Sequence, residues 1–197
     1  MRRDRFVQHY APAMPLCRLI LERLNPLTQQ GENQVVSMLF PMEKVFEAYV
    51  AAKLPSKLPQ WRVSDQVQSQ SLIDDHRGST VFKLIPDLVF TRGSTKIIGD
   101  TKWKLIDEND RNQYGISQSD IYQLFGYLKK YLGPQKKREV MLIYPRSDSF
   151  RMPLASFYYT KPTEILHVVP FDLESETLIL PTESLLNEDV HLVANSL

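Results

Sequence analysis

Apolar and polar residues alternate along this chain in two rhythms, one near 3.6 residues and one near 2, which divide it into helices and strands. Residues 14–24, MPLCRLILERL, fit a short helix ending near Asn25-Pro26, with a loop from Thr28 to Asn33 behind it. A stronger helix is predicted over 41–54, PMEKVFEAYVAAKL, with Pro41 suited to the first helical position and Pro55 just past the end. Val45, Phe46, Tyr49 and Val50 form its expected buried stripe, and Glu43 and Glu47 share an adjoining face one turn apart. Strands are predicted over 61–67, over 79–90 with a bend at Pro86, and over 95–105, while 74–78 and 107–115 read as loops. Ser117 opens the next helix, SQSDIYQLFGYLKKY, as an N-cap whose hydroxyl faces an amide near Asp120. Its expected core face is Ile121, Leu124, Phe125 and Leu128, and Asp120, Gln123 and Tyr127 make a separate polar stripe. Buried-type strands follow at 138–145, REVMLIYP, and at 164–171, separated by a loop at 146–160 that carries the aromatics Phe157-Tyr158-Tyr159.

The segment from Pro86 to Lys104, PDLVFTRGSTKIIGDTKWK, adds chemistry to this pattern. Two apolar runs flank Thr91-Arg92-Gly93-Ser94-Thr95, which suits a hairpin turn. With Gly93-Ser94 as the turn, pairing sets Asp87 directly opposite Asp100. Opposed side chains lie roughly 4.5–5.5 Å apart at Cβ, and two like charges so placed destabilise a sheet unless something offsets them. A divalent cation would do so. Lys102 shares the face of Asp100, while Thr101 and Trp103 are expected to face away. Two carboxylates supply hard oxygens for Mg²⁺, and the lysine can orient a water or, as the neutral amine, deprotonate one, and as the ammonium can stabilise charge on a phosphate. These residues read as a metal-dependent nuclease centre, with Glu47 as a further acid aimed from the helix edge. Gln123 and Tyr127 are candidates for bonding a phosphate or orienting a metal-bound water.

Composition narrows the alternatives. At 197 residues the chain suits one domain or one with an appendage, and 43% hydrophobic with 24% charged residues describes a globular protein. No apolar run reaches the length of a membrane span and no signal-peptide core follows the N-terminus, so a cytoplasmic location is expected. Cys17 is the single cysteine, which excludes an internal disulfide and a multi-cysteine zinc site. The histidines 9, 76, 167 and 191 are scattered and suit surface or locally hydrogen-bonded roles. Neither a GxxxxGK[ST] loop nor a G-x-S-x-G elbow occurs. The net charge of +1 hides an asymmetry: all 24 Lys and Arg lie in residues 1–161 beside 16 of the 23 acids, and 162–197 hold the other 7 acids. A basic body suits a polyanionic substrate such as DNA.

LFPMEKVFEAYV, PDLVF, GDTKWK, ISQSDIYQLFGYLKKY and LIYP occur in this order and cover most of residues 36–145. Together they resemble the PD-(D/E)XK nuclease superfamily and, within it, the McrC nuclease subunits of McrBC modification-dependent restriction systems. The resemblance implies an α/β fold with a restriction-endonuclease-like core, a mixed central sheet flanked by helices. It makes Asp87 and Asp100 metal ligands, Thr101 a backbone-carbonyl ligand, Lys102 the catalytic lysine and Glu47 the acid of the first core helix. Gln123 and Tyr127 match the Gln-x-x-x-Tyr motif of the RecB-like branch, which implies support of the active site and contact with DNA, and Lys104 is taken as a further DNA contact. The cofactor implied is Mg²⁺, with Mn²⁺ able to substitute. DNA and a McrB-like AAA+ GTPase are the implied partners, and no membrane is involved.

The expected organisation is an N-terminal helical extension over 1–35, a nuclease core over 36–171 and an acidic C-terminal segment over 172–197. Members of the family usually carry a further N-terminal region associated with docking to the GTPase, whereas this chain begins shortly before the core, as a fragment or a short homologue would. The functional expectation is a Mg²⁺-dependent endonuclease that cuts DNA as a restriction subunit. A free-standing RecB-like nuclease and a non-catalytic DNA- or partner-binding module are the alternatives.

Overall fold

The computed structural model describes residues 41–187. The predicted helix at 14–24, the loop at 28–33, Cys17, His9 and His191 lie outside them. Helix α1 spans Met42–Lys57, and strands β1 to β5 span Arg62–Asp65, Gln70–His76, Ser79–Leu84, Leu88–Arg92 and Thr95–Thr101. A 3₁₀ turn at Gln113–Gly115 leads to helix α2, Gln118–Tyr131, and strands β6 to β9 follow at Arg138–Pro145, Phe157–Tyr158, Glu164–Asp172 and Thr177–Leu178.

Seven strands form one mixed sheet in the order β1-β4-β5-β6-β8-β7, with β9 also paired to β8. β5, β6 and β8 run parallel, and β1, β4, β7 and β9 join antiparallel. This is the α/β architecture expected, a mixed central sheet flanked by helices. Period-2 alternation divides the core between two faces. Leu88, Phe90, Ile97, Met141, Ile143, Val169 and Phe171 pack on one side with Phe46, Val50 and Leu54 of α1. Val89, Ile98, Val140, Leu142, Leu166 and Val168 pack on the other with Leu124, Tyr127 and Leu128 of α2. Both faces being covered explains why β6 and β8 read as continuous apolar runs.

Several boundaries differ from expectation. Pro41 is the N-cap of α1 rather than its first helical residue, and Pro55 lies inside the last turn, where it gives up one backbone hydrogen bond. Val45 is 44% exposed and Leu54 is buried, so the buried stripe sits further toward the C-terminus than predicted. The stretch 79–90 is two strands broken at Ile85-Pro86-Asp87, and most of the loop expected at 74–78 belongs to β2 and its turn. Phe157 and Tyr158 form the short edge strand β7 within the predicted 146–160 loop. Phe125 leaves the core face, 38% exposed, and its ring stacks 5.4 Å from Tyr159. Ser117 caps α2 as predicted, one residue earlier than expected, through Ser119 N at 3.2 Å. The described part of the C-terminal segment docks on Glu139, which accepts from Leu185 N at 3.0 Å and from Ser184 Oγ at 3.1 Å. His167 is buried and locally bonded through Nδ1 to Ser156 Oγ at 2.9 Å. Among the described residues no helix is long and apolar enough to cross a membrane.

Candidate active site

The β4–β5 hairpin sets the geometry. Gly93, at φ +56°, takes the first position of the two-residue turn, and the ladder runs from Arg92–Thr95 to Leu88–Gly99. The ladder ends there, so Asp87 and Asp100 lie just beyond its last pair, brought to one cleft but not paired in register. The α1-facing side is so closely packed here that a Cβ on Gly99 would lie 3.1 Å from Phe90 Cε2 and 3.2 Å from Ile143 Cδ1. Gly99 therefore lets the hairpin lie flat on its neighbours just before Asp100. Lys102 continues the parallel pairing, its amide donating to Ile143 O at 2.9 Å.

Asp100 is buried at 2% exposure. Its Oδ2 lies 2.6 Å from Lys102 Nζ, but at an angle that makes no hydrogen bond, so this buried oxygen has no hydrogen-bond partner among the described residues. Thr101 does not turn wholly away from the carboxylates, as strand alternation predicted. Asp87 precedes the ladder, and its Oδ2 accepts from both the amide and the hydroxyl of Thr101, each at 2.7 Å. Trp103 does face the other side, with its ring 5.5 Å from Phe46.

The polar stripe of α2 faces the site rather than water. Lys102 Nζ donates to Gln123 Oε1 at 3.2 Å and lies 3.7 Å from Asp120 Oδ1. Gln123 Nε2 donates to Tyr127 OH at 2.7 Å, and that hydroxyl donates to Ile85 O at 3.0 Å. Tyr127 is thus buried, at 2% exposure, and ties α2 to the backbone just before Pro86-Asp87. Glu47 is buried on the opposite wall, where Lys44 Nζ donates to Oε2 at 2.6 Å and Gln66 donates to Oε1. Glu43 is exposed, and Lys104 is exposed with its ammonium 2.5 Å from Gly115 O. Glu47, Asp87, Asp100, Thr101, Lys102 and Gln123 line one cleft of about 350 Å³, together with Lys44, Gln66, Ile85 and Glu43.

Residues 1–145 match the family described as McrBC 5-methylcytosine restriction system component. The chain belongs to this family. A solved structure similar to this McrBC-family chain is the "Refined half-complex from tetradecameric assembly of Thermococcus gammatolerans McrB AAA+ hexamers with bound McrC". The likeness has 15% identity and a TM-score of 0.56, over 98% of this chain and 40% of that one, and at this identity it shows the fold. Our chain thus spans about 40% of the length of that relative. No curated protein sequence matches it.

Electrostatics mark the aspartates of this McrBC-family chain as strained when metal-free. Burial, and then the charge of Asp87, raise the Asp100 pKa from 3.8 to about 6. Burial also raises Asp87, against the lowering effect of its Thr101 bonds. For Lys102 burial works downward, but Asp100, Asp120 and Asp87 outweigh it and raise the pKa, so the ammonium stays charged at neutral pH. Among the described residues no group of three acidic, His or Cys side chains forms a ready metal cage. The donor set on hand is two carboxylates and the Thr101 backbone. It fits a hard cation that keeps several waters, and the raised pKa of both buried aspartates marks negative charge that Lys102 alone does not offset. Sequence reasoning missed Lys44 and Gln66. Lys44 was legible as an i, i+3 partner of Glu47, whereas Gln66 carried no local signal.

Proposed function

We propose that this chain is the DNA-cutting component of its restriction system, a Mg²⁺-dependent endonuclease that hydrolyses phosphodiester bonds. Asp87, Asp100 and the Thr101 carbonyl would hold the cation, and Glu47 completes the acidic lining from the facing wall. When bound, the cation supplies Lewis-acid polarisation of the phosphate and lowers the pKa of a water. Lys102 supplies the fixed positive charge: held by Asp100, Asp120 and Gln123, it orients a water and offsets charge that develops on the phosphate. Because it stays protonated, it serves as an electrostatic and positioning group, not as the base. The Tyr127–Gln123–Lys102 chain of hydrogen bonds fixes the ammonium in advance, and preorganisation of this kind lowers the barrier without reorganisation at the moment of reaction. Lys104 extends the positive charge toward the DNA backbone.

The observation that carries this reading is the convergence of Asp87, Asp100 and Lys102 at one end of β5, with the Asp100 carboxylate buried and ion-paired to Lys102. Family membership supports the restriction system as its setting, and the likeness to an assembly of McrB AAA+ hexamers with bound McrC supports an AAA+ GTPase partner. The test is cleavage of supercoiled and of linear cytosine-methylated DNA with Mg²⁺, with and without a McrB-type GTPase and GTP. The subunit reading expects circular DNA to be cut and GTP with the partner to raise the rate. Digestion from linear ends alone would make the chain an exonuclease instead.

A further inference from the structure

Among the described residues β2 and β3 pair only with each other and form a ribbon outside the central sheet. Both legs of this ribbon rise from the catalytic cleft. Gln66, before β2, and Ile85 and Asp87, after β3, are cleft-lining residues, and Gln66 N donates to Asp87 O at 3.2 Å. The roots are fixed, since Tyr131 OH lies 2.7 Å from both Val67 O and Leu84 O. The ribbon's back leans on α2, where a Cβ on Gly126 would lie 3.7 Å from Leu72 Cδ1 and 3.8 Å from Leu84 Cδ2. Lys130 Nζ holds Asp74 Oδ2 at 2.6 Å beside this contact.

Its front carries an anomaly. Phe82 is 72% exposed and has φ +59°, a left-handed backbone that a bulky residue adopts only at a cost. The ladder places it opposite Leu72, between the pairs Ser71–Lys83 and Ile73–Val81. Partners at such positions normally share a face, yet Leu72, itself 45% exposed, reaches α2 while Phe82 stands in water. Strain and exposure together give folding no return, and such outliers gather at functional sites.

We propose that the β2–β3 ribbon is a duplex-engaging arm and that Phe82 is the wedge it inserts at a base step beside the cleaved phosphate. This rests on the nuclease reading above. Continuity with the cleft selects DNA as the occupant, because a duplex held with one phosphate at Asp87 and Asp100 passes the rooted ribbon. The seven residues of β2 span about 20 Å, enough to cross a groove ~12 Å wide. The ribbon's charges cancel, Asp74 and Asp75 against Arg77 and Lys83, so it suits base edges and stacking rather than phosphate tracking. An apolar side chain inserted at a step unstacks it and kinks the duplex.

The test uses the full chain in EDTA with a mixed-sequence duplex of about 24 base pairs carrying 2-aminopurine at its TpA steps, the flexible ones. Binding is read by anisotropy and unstacking by 2-aminopurine brightening. Phe82→Ala should weaken binding on the order of tenfold and abolish the brightening, while melting at or above the wild-type temperature. Phe82→Asn, which tolerates the left-handed backbone, should behave the same way and separates loss of the ring from a change of backbone. Equal affinity and equal brightening for wild type and both variants would overturn the wedge and leave the nuclease reading standing. Unchanged DNA binding with lost association to the AAA+ subunit would also overturn it, making the ribbon a protein-docking element. Failure of the wild-type chain to bind duplex would overturn the wedge, and plasmid cleavage with Mg²⁺ decides the nuclease reading separately.

Discussion

Replacing Asp100 with Asn should make the metal-free protein more stable near neutral pH. Asp100 is 2% exposed, and its pKa is raised from 3.8 to about 6 by burial and then by Asp87, with Lys102 offsetting only part of the rise. A carboxyl whose folded pKa lies above its unfolded value holds its proton more tightly in the folded state. Stability therefore falls as pH rises from about 4 through about 6, and the loss is complete above that window. A gap of about two pH units corresponds to about 3 kcal/mol as an upper figure. Asn keeps the shape of the protonated acid, and Lys102 keeps Gln123 at 3.2 Å and Asp120 at 3.7 Å. We therefore expect Asp100→Asn to gain about 1–3 kcal/mol at pH 7.5, or about 2–4 °C of melting temperature per kcal/mol. Urea unfolding in EDTA at pH 7.5 and at pH 4.5 measures it, and the gain should largely vanish at the lower pH. Mg²⁺ should stabilise the wild type and have little effect on the variant. A variant less stable than wild type at pH 7.5 would refute the reasoning, because Asp100 would then be held by favourable contacts rather than poised for a cation.

Lys102→Ala should lose most turnover yet still take up Mn²⁺ in a calorimetric titration, and Lys102→Arg should not restore cutting, since a guanidinium fork cannot replace a compact ammonium. Complete loss of Mn²⁺ binding would assign Lys102 a structural role instead. Tyr127→Phe removes the donor to Ile85 O and the acceptor for Gln123, and should cost about 1–2 kcal/mol in denaturant unfolding, with a fall in kcat larger than any rise in KM. Gly99→Ala should destabilise by about 1–3 kcal/mol, because the added methyl meets Phe90 and Ile143 beneath the hairpin.

The hairpin was legible in the sequence because a two-residue turn fixes register, so naming Gly93-Ser94 as the turn was enough to bring Asp87 and Asp100 to the same end of the hairpin. The α1 and α2 helices were legible from their periodicity, but periodicity cannot separate a polar stripe in water from one lining a cleft. Gln123 and Tyr127 were therefore singled out by their chemistry and motif spacing, and the burial of Tyr127 against Ile85 was not legible. Val45 and Phe125 failed as core residues for the related reason that helix period gives spacing and not the rotation of the helix on its sheet. β2 was missed because its residues are mostly polar and exposed and its ladder shifts register between Ile73 and His76, leaving no alternation to detect. The two hydrogen bonds from Thr101 to Asp87 were out of reach, since they depend on how the chain enters β4 after Pro86.

The central claim is that two aspartates at one end of the hairpin form a metal-dependent cutting centre. It is tested most directly by comparing wild type, Asp87→Ala and Asp100→Ala for conversion of supercoiled plasmid under matched Mg²⁺, with the partner GTPase and GTP present. The account predicts cutting by wild type alone, with both variants folded and inactive. Substantial cleavage by both variants would contradict it.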